Sequence, residues 1–81
     1  MFVNWMATAL RGDVYEYARG NVSYSRWKRT RLLMADEAPD AELNLICDQA
    51  ADAWRAFERG LVTLVQRRMG RDDFSYMAIR L

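Results

Sequence analysis

The sequence contains no histidine and only one cysteine, Cys47. Without imidazole, the usual general base and the usual zinc ligand are both missing, and a lone thiol cannot close a disulfide within the chain. Serine–histidine and cysteine–histidine nucleophile pairs are therefore excluded. No glycine-rich phosphate loop, Gly-x-Ser-x-Gly elbow or Cys-x-x-Cys pair occurs. The reading is of a protein that is not an enzyme and uses no cofactor and no metal. One proline and four glycines are too few for a collagenous or low-complexity chain. No apolar run exceeds five residues, against the roughly 18 to 20 that a membrane-crossing helix needs. The start of the chain does not read as a charged-then-apolar leader, so a cytoplasmic, unprocessed protein is expected.

What the chain does have is apolar and aromatic mass. Hydrophobic residues make up 52% and charged residues 28% of 81 positions, which suits one small folded domain over residues 1–81. A core this small leaves little net stability, and with disulfides and metal excluded the remaining support is a partner. Self-association, as a homodimer, or binding to another protein is expected. Three Trp, four Tyr, three Phe and five Met are the residue types that enrich interface cores as well as folding cores. Charge is divided unevenly. Residues 1–35 hold six basic and two acidic side chains, and residues 36–81 hold six basic and nine acidic ones. That asymmetry can steer a charged partner, but it is too small to require nucleic acid.

The clearest element is a long amphipathic helix over about 40–59. Leu43, Ile46, Cys47, Ala50, Ala53, Trp54 and Phe57 recur at spacings of three and four and form one apolar stripe. Pro39 and Asp40 open the helix, Glu42 and Arg59 suit its dipole, and Gly60 follows as a left-handed cap. Cys47, inside the stripe, is read as core filler. Two β-prone runs at about 61–69 and 74–80 flank Gly70-Arg71-Asp72-Asp73 and read as a hairpin. Upstream, Ser23 is expected to cap a helix from Tyr24 to about Asp36 that turns Tyr24, Trp27 and Met34 to one side, where burial of Trp27 is expected. Phe2, Trp5, Met6, Ala9 and Leu10 suit a short helix, and Val14–Tyr17 reads as helix or strand. The expected class is α+β, with two or three helices packed on a C-terminal hairpin. The alternative is a small all-α bundle in which the long helix continues through Gly60.

Several motifs have ordinary explanations. Asp36, Glu37, Asp40 and Glu42 serve as helix-capping charges rather than a calcium loop, and Asp72 and Asp73 serve as turn residues. Arg11-Gly12-Asp13 and Asn21-Val22-Ser23 match adhesion and glycosylation signals only by chance, since both presuppose an extracellular protein. The segment Arg26-Trp27-Lys28-Arg29-Thr30-Arg31 is the one basic cluster with an aromatic inside it. A nucleic-acid contact through Arg26, Lys28, Arg29 and Arg31 is the alternative function. The leading function is protein binding, with Trp27, Arg67, Arg68 and Tyr76 as contact residues and Trp54 and Phe57 as core or dimer anchors.

The segments Gly60–Arg68 and Phe74–Arg80 resemble the ends of short proteins encoded by phages and prophages of Gram-negative bacteria. The likeness covers about a quarter of the chain and contains no functional motif. It implies an accessory protein that binds a host protein stoichiometrically and inhibits or modulates it, and it assigns no site residue.

Overall fold

The computed structural model describes residues 1–81, in the order α1 (Phe2–Thr8), β1 (Val14–Gly20), α2 (Val22–Met34), α3 (Ala41–Glu58), β2 (Val62–Gly70) and β3 (Asp73–Arg80). The fold is α+β, and the all-α alternative fails at Gly60. There the backbone turns left-handed at φ 74°, a region that glycine enters without strain. The Gly60 N–H donates to the Phe57 carbonyl at 2.9 Å and the Leu61 N–H to the Ala56 carbonyl at 3.0 Å. This pair of bonds satisfies the last helical carbonyls and ends α3, so the chain can leave as a strand. At the other end, the Asp40 carboxylate accepts from the Leu43 N–H at 2.7 Å, as the capping reading expects.

The helix α2 departs from expectation in both its start and its facing. Asn21, not Ser23, caps it, accepting from the Tyr24 N–H at 3.0 Å. Capping from Asn21 lets the helix start two residues earlier and brings Val22 into the core. The inward row becomes Val22, Ser25, Arg29 and Leu32, spaced three, four and three apart, and these residues are buried or half-buried. Tyr24, Trp27 and Met34, expected inward, are instead exposed. Arg29 contributes a 3.0 Å ion pair to Asp48, which ties α2 to α3.

The hairpin forms as expected and gains a third strand. All pairings are antiparallel and the order is β1-β3-β2, so β3 is central. The residues left open between helix and strand are thereby settled: Phe2–Thr8 is helix and Val14–Gly20 is strand. A register shift between Glu16 and Ala18 makes Tyr17 an extra residue, and both Tyr17 and Ala18 are buried. That is the behaviour of a β-bulge, which turns two successive side chains to one face. The same bulge breaks the alternation from which β1 could have been read. Arg19 clamps β1 to β3 through two 3.1 Å bonds to Asp73, and the Ser75 hydroxyl donates to Glu16.

All three helices lie on one face of the sheet. The core is Phe2, Tyr17, Ala18, Val22, Ala53, Ala56, Val62 and Ala78. Gln49 secures α1 from inside, its side-chain oxygen accepting the Phe2 N–H and the Tyr15 hydroxyl, each at 3.1 Å. Only 11 of 81 residues are buried, and the chain exposes 5792 Å², against about 5,050 Å² for a typical monomer of this mass. Its radius of gyration is 13.4 Å, against about 11.7 Å. The molecule therefore carries more surface than its mass requires.

Candidate functional site

The two long helices differ in length, with 13 residues in α2 and 18 in α3. The Arg29–Asp48 ion pair sets the start of α2 opposite the last turns of α3. Trp54 and Phe57 lie on these last turns of α3, with ring centroids 5.2 Å apart, and are 55% and 42% exposed. Neither is a core residue, contrary to their place in the apolar stripe.

Beside Trp54, between the start of α2 and the helix-facing side of the hairpin, lies an open groove of about 650 Å³. Tyr17, Trp54, Leu64, Phe74 and Tyr76 form its apolar walls, and Arg26 is the only charged residue lining it. Three of its aromatics brace one another. Tyr76 sits 6.2 Å from Tyr17 and 6.1 Å from Phe74, ring to ring, and its hydroxyl accepts from the Val22 N–H at 3.2 Å. The sheet side of the groove is therefore preformed. Such a concave apolar surface with one cation suits an apolar side chain next to a carboxylate.

Of the contact residues expected from sequence, only Tyr76 lines the groove. Arg26 lines it too, although sequence reading assigned it to a nucleic-acid contact. Arg67 and Trp27 lie elsewhere. Arg67 pairs with Ser75, which pairs with Arg19, and alternation along β2 turns it to the sheet face that bears no helix. Arg68 is exposed near the hairpin tip, where its Nε donates to the Gly70 carbonyl at 3.2 Å. Trp27 is exposed on α2 beside Tyr24 and Arg31, and Lys28 is exposed on the same helix. These residues do not form one patch, because helix and strand direct them to different sides. Sequence reading missed Leu64, Phe74 and Tyr17 as groove walls. Their only signal is the pairing register, which strand propensity does not reveal.

Tyr17 also has a shifted titration. Burial, and secondarily the neighbouring Tyr76, raise its phenol above the ordinary value of 10.0. The folded state therefore favours the neutral phenol. Its contribution to stability is complete below about pH 10 and is lost as pH rises from there through the raised folded value. The urea midpoint of the wild type should fall between pH 9 and pH 11, and Tyr17→Phe should fall less. Equal slopes for the two proteins would refute the assignment.

No group of three or more His, Cys, Asp or Glu side chains converges as a metal site would require. No helix is long and apolar enough to cross a membrane. No protein-family model, curated protein or solved structure matches this chain.

Proposed function

We propose that this chain is a small non-catalytic protein-interaction module, an accessory protein of the kind phages encode, which inhibits or modulates a host protein by covering part of its surface. The observation that carries the reading is the preformed groove under Trp54. An exposed Trp54 beside the partly buried rings of Phe74 and Tyr76 around one concavity leaves apolar surface in water that folding alone did not need. A partner presenting an apolar residue flanked by an acid would cover these rings and meet Arg26. The excess surface of the whole molecule supports the same reading, since burial left incomplete in the free chain can be completed on another macromolecule. A cytoplasmic setting goes with this reading.

Affinity capture from a Gram-negative bacterial lysate tests it. The wild type should retain one protein at fixed stoichiometry. Trp54→Ala should release it, with an affinity loss of about 2 kcal/mol or more, as for a central aromatic contact. Thermal unfolding should hardly change, because Trp54 is more than half exposed. Retention of no stoichiometric protein, or equal retention by the variant, would overturn the proposal.

A further inference from the structure

The outward face of α2 is a second, separate surface. Tyr24, Trp27, Lys28 and Arg31 recur at spacings of three, one and three, which places them together on one side of the helix, away from the inward row of Val22, Ser25, Arg29 and Leu32. Tyr24 is 57% and Trp27 54% exposed. The rings stand 5.7 Å apart at 31°, and the Arg31 guanidinium lies 5.3 Å from the centre of the Trp27 ring. Tyr24 and Trp27 thus form an exposed pair of tilted rings with a cation beside Trp27.

The charge around this column has one sign. The helix from Val22 to Met34 contains four cations and no acid. Arg29 is neutralised by Asp48, while Arg26, Lys28 and Arg31 form no ion pair. Asp36 and Glu37 lie beyond the end of α2, which limits the positive stretch to the helix itself. We propose that this face binds single-stranded nucleic acid, with unpaired bases stacking on Tyr24 and Trp27 and phosphates held by Lys28 and Arg31. The combination of exposed rings with interspersed free cations favours this ligand over a protein. Lysine is depleted at the centre of protein interfaces, whereas a single strand offers flat bases and phosphates at short intervals that Lys28 and Arg31 can both meet. A duplex supplies the phosphates but keeps its base faces stacked.

Titration of the whole protein with fluorescein-labelled dT20, followed by anisotropy at 50 and 200 mM salt, provides the test. With two or three phosphates neutralised, affinity should fall about 7- to 20-fold over that range. Trp27→Ala should weaken binding at 50 mM by about 5- to 100-fold, and Lys28→Gln should flatten the salt dependence by about one phosphate. Both side chains are exposed, so circular dichroism should show an unchanged fold. Trp54→Ala should bind dT20 normally, which keeps this result distinct from the fate of the groove. Four outcomes would each overturn the proposal: no binding of dT20, unchanged binding by Trp27→Ala, equal binding of a 20-base-pair duplex, or displacement of dT20 by polyglutamate at equal charge. The last would mark the face as a site for an acidic protein.

Discussion

Phe2→Ala is expected to remove roughly 3 to 5 kcal/mol of stability, the cost of deleting a large side chain from a packed core. A domain of 81 residues has about 4 to 12 kcal/mol in total, so this one ring carries a large share. Phe2 and Val62 are the largest side chains with under 2% of their surface left in water. Phe2 meets Trp5, Tyr15 and Tyr17 at centroid distances of 5.7, 6.0 and 6.4 Å. Besides this ring, α1 is held by the Gln49 bond to the Phe2 N–H and by the packing of Trp5 and Met6. It has seven residues and no side-chain cap, and a helix of that length does not persist alone in water. Losing the ring therefore also frees α1, exposes the 5.4 Å stack of Trp5 on Tyr15 and uncovers one side of α3. Urea unfolding should show a much lower midpoint, with the red-shifted Trp fluorescence of a detached α1. A loss below about 1 kcal/mol would mean that α1 is dispensable and that the core rests on α3 and the sheet alone.

The parts of the fold that local chemistry dictates were legible in the sequence. Asp40 and Gly60 mark the ends of α3 because one offers a carboxylate to free N–H groups and the other tolerates a left-handed turn. Both signals lie within a few residues of the structure they specify. The hairpin was legible for the same reason, with strand formers on either side of a Gly-Asp-Asp turn. Strand β1 was not, because its evident pattern is broken by the bulge at Tyr17 and its partner β3 lies some sixty residues on. The facing of α2 was misread for a different reason. Its aromatics suggest an inward side, but α2 has little amphipathic contrast, and the row that packs contains a serine and an arginine whose burial depends on α3 and Asp48. Tertiary partners decided the orientation, and they are not local.

That misreading bears on function. Sequence reading ranked a nucleic-acid contact second, because the cations spread around the helix and because Trp27 was expected to be buried. The structure removes the second ground, since the side of α2 bearing Tyr24 and Trp27 faces water. The two surfaces divide the aromatic excess of the chain. Phe74, Tyr76 and Trp54 surround the groove, and Tyr24 and Trp27 stand on the outer side of α2. Arg26 lines the groove and Arg31 lies over Trp27, so each surface has its own cation. Neither charge has an acidic partner within the chain. An unpaired guanidinium beside exposed rings is weakly used in the free protein and gains most when a ligand excludes water from it.

The stripe on α3 makes the other large prediction, because it holds two kinds of residue that hydropathy cannot separate. Ala53 is completely buried, and Phe57, one turn later, is 42% exposed. Where α3 crosses the sheet the fold requires small side chains, since Ala53, Ala56 and Ala78 share the core and leave the helix and strands close together. Ala53→Glu would place a carboxylate there with no cation beside it. An uncompensated buried charge typically costs about 3 to 5 kcal/mol, and forcing extra atoms into a filled site adds about 1 to 3. Ala53→Glu should therefore abolish cooperative unfolding at pH 7. Phe57→Glu, which adds the same charge to the same helix, should shift the thermal midpoint by no more than a few degrees, since its side chain can remain in water. Circular dichroism melts of the two variants decide the matter. A folded Ala53→Glu protein would mean that α3 does not seat on the sheet where its smallest residues are, and the groove beside Trp54 would lose its geometry with it.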